Sequence, residues 1–159
     1  MASAKTKDFE IYLGVTADAA ASNATLDLTD YVDIADNEAF EVHAVDIVLD
    51  PAVGLPANDT VAVFQLADAN IQAFISHSDR ASLYVARQTF NATTLGMYHQ
   101  ESFSDLTPLI VSKTLWLRNE LTVGGANPQN FTIRILGRIV KPSAKDYMAL
   151  VLTQTGNVA

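Results

Sequence analysis

The chain contains no cysteine. That absence excludes a disulfide scaffold, a thiolate zinc site, a thioredoxin-type motif and a cysteine nucleophile. Basic residues are also few: ten Lys and Arg stand against 18 Asp and Glu, a formal net charge of −8 at pH 7. Nonspecific grip on nucleic acid needs clustered Lys and Arg at phosphates, so direct nucleic-acid binding is not expected. No apolar run approaches the roughly 20 residues of a spanning helix; residues 61–64 and 149–152 are among the longest. Residues 1–8 are small and polar with no apolar stretch behind them. A cleavable secretory signal is therefore not expected, and the chain reads as soluble and made in a cytoplasm. For the same reason the N-x-T sequons at Asn23, Asn58, Asn91 and Asn130 are not expected to carry glycans.

What is present is apolar and periodic. Of 159 residues 49% are hydrophobic, too many for a disordered chain and enough for one core. The apolar positions alternate in short runs separated by turn residues, the cadence of a β-sandwich or barrel. Phe9, Ile11 and Leu13 share one face, residues 16–24 read as a loop, and a second run spans 26–34. In the run 39–49, Phe40, Val42 and Ala44 share a face, then Val45, Ile47 and Leu49 take the opposite phase. A one-residue phase change predicts a β-bulge near Ala44 and Val45. Further strands are predicted at 60–66, 82–90, 94–103, 109–121 and 129–140, with turns at 51–59 and 124–128. Ala69, Ile71, Phe74 and Ile75 approximate helical spacing behind a capping Asp68, so a short helix is predicted there. Ser143 and Asp146 form a capping-box variant that opens a short helix through Leu150. The expectation is an all-β chain: an eight-stranded antiparallel β-sandwich of jelly-roll type with a short internal helix and a short C-terminal helix. One domain, 1–159, is expected, with 1–8 and 153–159 as flexible tails that order on contact with a neighbour.

Chemistry-bearing motifs do not accumulate. His43, His77 and His99 are scattered and lack zinc-ligand spacing. Ser76, His77, Ser78 and Asp79 contain the atoms of a hydrolytic triad, but sequence neighbours rarely converge, and turn chemistry is the reading adopted. No phosphate-binding glycine motif occurs. The acidic series Asp27, Asp30, Asp33, Asp36 and Glu38 is read as a solvated face that protects a sheet edge. Its lesser alternative is a loop Ca²⁺ site formed by Asp33, Asp36 and Glu38. No enzyme activity and no cofactor are expected.

The charge is divided along the chain. Residues 1–80 hold 14 acidic and three basic side chains, whereas residues 81–159 hold four acidic and seven basic ones. Part of this polarity is expected to be internal pairing between interleaved halves. The remainder would order contacts between identical subunits or turn Arg134, Arg138, Lys141 and Lys145 toward an anionic partner.

The strand cadence, and the final run Asn130 to Val140 leading into a brief helix, resemble the single jelly-roll capsid proteins of tailless bacterial and archaeal viruses. The resemblance implies a coat subunit that self-assembles into an icosahedral shell, located in the virion, with homo-oligomeric partners and possible other coat proteins. A membrane beneath the shell is left open. Lys5 and Lys7 do not amount to the basic N-terminal arm of the RNA-virus members, so genome binding through that end is not implied. Trp116, Arg118, Arg134 and Arg138 are the candidate interface residues, with Trp116 either facing outward beside Thr114 and Arg118 or lying inside the sandwich. The alternative function is a glycan- or receptor-binding β-sandwich of a virion decoration or spike protein, using Tyr12, Tyr31, Tyr84 and Tyr98. A cupin-type enzyme built on His43, His99 and Glu101 is a third and sparser reading.

Overall fold

A computed structural model describes residues 3–50, 58–103, 109–111, 113–122 and 128–156. In chain order the strands are β1 (Ser3–Ala4), β2 (Phe9–Ala17), β3 (Ser22–Asp27), β4 (Ala39–Leu49) and β5 (Thr60–Ala67). They continue with β6 (Ser82–Asn91), β7 (Gly96–Phe103), β8 (Leu109–Val111), β9 (Thr114–Thr122) and β10 (Gln129–Lys141), followed by helix α1 (Ala144–Gly156). Eight described strands are six residues or longer; β1 and β8 are short additions. The strand expected over 109–121 is two strands, β8 and β9.

Every described pairing is antiparallel, in two sheets. The first has the order β1-β10-β4-β8, with β2 pairing β10 along the same side as β1. The second has the order β3-β9-β5-β6-β7. From β2 onward the chain changes sheet at each step except the β5-β6-β7 meander. That two-sheet winding is the jelly roll.

Alternation along each strand explains the layering. On β10, Phe131, Ile133, Ile135 and Ile139 are buried, and on β9 Leu115, Leu117 and Leu121 are. These rows interdigitate between the sheets, with the Phe64 and Phe131 rings edge-to-face at 4.8 Å. Each such side chain, fully buried, contributes roughly 1.5–3 kcal/mol.

The expected phase change in β4 is real. Arg138 pairs Glu41 and Leu136 pairs Ala44, but Gly137 pairs Val42, which leaves His43 as the extra residue of a bulge. His43 and Ala44 are consecutive exposed positions, after which Val45 and Ile47 point inward. Gly137 lies opposite this kink. A Cβ there would sit 2.3 Å from the Glu41 carbonyl oxygen and 2.5 Å from Phe40 Cζ, so only hydrogen fits.

The C-terminal capping box is also present: Ser143 Oγ accepts from Asp146 N–H at 3.2 Å and donates to the Asp146 carboxylate at 2.7 Å. Tyr147 then buries against Ala39 and Val140, so α1 covers one end of the first sheet's outer face.

Other expectations are corrected too, and the loop expected over 16–24 shrinks to 18–21 between β2 and β3. The run 26–34 is not one strand: β3 ends at Asp27, Leu28 opens a turn, and Asp33 caps a 3₁₀ turn, Ile34–Asp36. The segment 69–75 is not a helix. Its backbone is held by side chains from elsewhere, as Gln65 receives the Ile75 N–H and donates to the Ile75 carbonyl, both at 2.9 Å. Asn23 likewise donates to the Ile71 carbonyl. These bonds replace the i→i+4 ladder that periodicity implied. Finally, residues 3–8 are not a loose tail. Ser3 and Ala4 pair Lys141 and Val140, and Thr6 Oγ accepts the Ile139 N–H. Helix α1 extends past the expected tail boundary to Gly156. The turn expected at 124–128 and most of that at 51–59 lie outside the described residues.

Candidate functional site

With the interior filled, the surfaces that can meet a partner are the two outer faces and the free edges. On the first sheet's outer face, charges form rungs across β2, β10 and β4. Arg134 Nη2 lies 2.8 Å from Asp46 and its Nη1 3.9 Å from Glu10. Arg138 Nε donates to Glu41 at 2.7 Å. His43, on the bulge, places Nδ1 2.9 Å from Asp8 and Nε2 3.2 Å from Glu41. Burial pushes the His43 pKa down, but the Asp8 and Glu41 carboxylates together outweigh it, leaving it raised above 6.5. At the end of the sheet Lys5 joins Asp36 and Glu38, and Lys141 joins Asp36. Lys141 and then Lys5 hold the Asp36 carboxyl down at about 2.

The candidate interface arginines Arg134 and Arg138 are thus bonded within the chain. Arg118 is held too: it donates to Asn23 at 2.9 Å and its guanidinium lies over the Phe74 ring, 5.4 Å from the centroid. Loop 68–80 covers this part of the second sheet's outer face, which is why Gln65, on an outward position beside Arg118, is 1% exposed. Trp116 is half-buried on the same outward row, with Thr114 and Arg118, between Thr25 of β3 and Ala67 of β5.

The acidic triple Asp33, Asp36 and Glu38 is engaged by cations and backbone. Asp33 Oδ1 accepts the Ala35 and Asp36 N–H groups, and Glu38 accepts the Asp33 N–H and the Lys5 ammonium. Among the described residues no three His, Asp or Glu side chains converge as a metal-binding group. The cupin combination is separated by the fold, with His43 on the first sheet and His99 and Glu101 on β7 of the second. Nor do Ser76, His77 and Asp79 form a triad. His77 Nδ1 faces the buried Ser82 hydroxyl at 3.2 Å and Nε2 faces the Phe103 carbonyl at 3.1 Å, while Asp79 caps the Ala81 N–H. Of the four tyrosines offered to a sugar, Tyr84 is fully buried and donates to Glu101 at 2.6 Å. Tyr12 and Tyr98 stand on different sheets, and Tyr31 stacks on Phe9.

The surface that sequence reasoning missed is the β6–β7 hairpin. Residues 97–102 of β7 are all exposed, so neither face of this strand is covered. No described strand pairs its outer edge. At the turn Leu95 adopts φ 54 and is 71% exposed, followed by exposed Met97 and Tyr98. A left-handed leucine is strained by roughly 1 kcal/mol or more, and its side chain gains no burial in return. The signal was the loss of alternation at Tyr98-His-Gln-Glu101, which marks a strand with no buried face.

No protein-family model matches the chain, and no curated protein matches it in sequence. A solved structure from Desmodium yellow mottle tymovirus resembles it with TM-score 0.38 and 11% identity, over 86% of this chain and 90% of that one. The strand order by itself gives the jelly roll, an architecture shared by capsid, lectin and cupin domains. No helix among the described residues is long and apolar enough to cross a membrane.

Proposed function

We propose that this chain is a coat subunit that self-assembles into a closed icosahedral shell of a virion. The supporting observation is the β6–β7 hairpin. A strained leucine, an exposed Met and an exposed Tyr project from a strand bare on both faces, and such a strand edge is completed by a neighbouring subunit. Around it the jelly roll supplies a rigid block whose charges are neutralised across β2, β10 and β4, which suits packing of one subunit against the next. The role asks for shape and surface rather than reacting groups, so the reading is non-enzymatic. Trp116 is the further anchor for a neighbour. The narrower class of tailless bacterial and archaeal viruses is supported by the sequence resemblance alone. Sedimentation velocity with electron microscopy tests the reading. Closed particles of uniform diameter are expected, and a chain that stays monomeric at every concentration and salt would overturn it.

A further inference from the structure

We propose that two copies of this chain join through β7 as an antiparallel two-fold pair centred on Gln100, extending the second sheet across the contact. This deepens the shell reading by naming one of its contacts, since a closed icosahedral shell contains two-fold axes.

The case rests on the strand's self-complementarity. A two-fold antiparallel pair centred on Gln100 sets Met97 opposite Phe103 of the second copy, and His99 opposite its Glu101. On the other face Tyr98 stands opposite Ser102 of the second copy. Met97, His99, Glu101 and Phe103 share the face that continues Phe90, Gln88, Ala86 and Tyr84 of β6. Read in either direction, that face matches apolar with apolar and cation-capable with acid. Moving the axis by half a residue would set His99 against Gln100, which lies on the other face, and moving it by a whole residue sets His99 against His99 or Glu101 against Glu101. Both lose the charge match. Within one copy His99 Nε2 already lies 3.2 Å from Glu101, so pairing doubles this contact into a four-residue box. The Tyr84 hydroxyl holds Glu101 from below. Exposure across residues 97–102 leaves the edge open to this pairing, and directly opposed charge and apolar pairs are what fix register in an antiparallel ladder.

Because the chain has no cysteine, single cysteines read the register directly. Opposed Cα atoms in an antiparallel pair lie about 4.5 or 5.5 Å apart, inside the span of about 4.4–6.8 Å that a disulfide bridges. Under mild oxidation, Gln100→Cys is expected to convert most of the chain to a covalent dimer. Tyr98→Cys and Ser102→Cys alone are expected to stay uncoupled, whereas the Tyr98→Cys/Ser102→Cys double variant couples. His99→Glu, which opposes two glutamates, is expected to halve the mass of the isolated pair with an unchanged melting temperature. Cross-linking strongest through His99→Cys, or a pair indifferent to His99→Glu, would overturn the proposal. Shells that form while Gln100→Cys fails to couple would overturn the β7 contact and leave the shell reading standing. A coupled dimer that never builds a shell would do the reverse.

Discussion

Arg138 and Glu41 are 97 positions apart in the chain and directly opposite each other across β10 and β4, joined by a 2.7 Å hydrogen bond. Their pairing explains the division of charge along the sequence. The topology slots basic β10 between β2 and β4, both drawn from the acidic half, so Arg134 meets Glu10 and Asp46 while Arg138 meets Glu41. Much of the polarity that suggested contacts between subunits is spent inside one.

This pair is partly exposed, so solvent screens it. Arg138→Ala and Glu41→Gln should each destabilise by about 1 kcal/mol, and the double variant by less than their sum. Urea unfolding of the four proteins measures the coupling. It should shrink in 1 M salt, where the screening length is about 3 Å.

His43 should titrate above 6.5, its ordinary value. A base with a raised folded pKa adds stability that is fully present below the unfolded pKa and lost as pH rises through the folded one. Unfolding free energy should therefore fall across that window, and His43→Asn should flatten the fall. Imidazole proton NMR on the Glu41→Gln variant should show the His43 pKa moving down.

Asp68 is buried, and burial lifts its carboxyl to about 6, with Arg80 opposing the rise. The folded chain holds this proton where the unfolded chain has released it, so stability falls as pH rises from about 4 to about 6. Asp68→Asn should stabilise by about 3 kcal/mol at pH 7 and have little effect below pH 4, given roughly 1.4 kcal/mol for each pKa unit and an ordinary value of 3.8. Thermal unfolding at the two pH values checks it.

Gly137→Ala would drive a methyl into the Glu41 carbonyl and the Phe40 ring. A loss of roughly 3 kcal/mol is expected, at the upper end for overpacking, because a backbone oxygen cannot rotate away. Hydrogen exchange should show β4 and β10 amides losing protection first.

Gln65→Leu keeps the volume but removes the bonds to Ile75 and Ser82. Leaving those groups unpaired beneath the loop should cost about 3 kcal/mol. Proteolysis within 68–80 should accelerate, whereas the β-sheet circular dichroism should hold.

The contrast between β4 and the 68–80 loop shows where sequence reading works. The bulge was legible to within a residue, expected near Ala44 and Val45 and found at His43, because a change of phase is written in consecutive residues. The loop was misread because its conformation is decided by Gln65 and Asn23, distant groups whose aim no local period reveals. Tyr84 was offered as an exposed aromatic for the same reason: on β6 its face is set by the Leu83 bulge opposite the Leu66–Ala67 step. The sequence left Trp116 open between the outward row of Arg118 and the interior, and the structure puts both on the outward row. That a loop would lie over Arg118 was not readable, since it depends on which sheet face the 68–80 segment crosses.

The order of synthesis gives β10 one more role. It follows every other described strand in the chain, yet it stands between β2 and β4, which do not pair with each other. Until it arrives, Glu10 on one strand and Glu41 and Asp46 on the other are like-charged edges facing a vacant slot. The first sheet therefore closes only once β10 has been made, in a slow step of high contact order. A chain truncated before β10 would leave β2 and β4 without the strand that joins them, so the first sheet depends on this one basic strand.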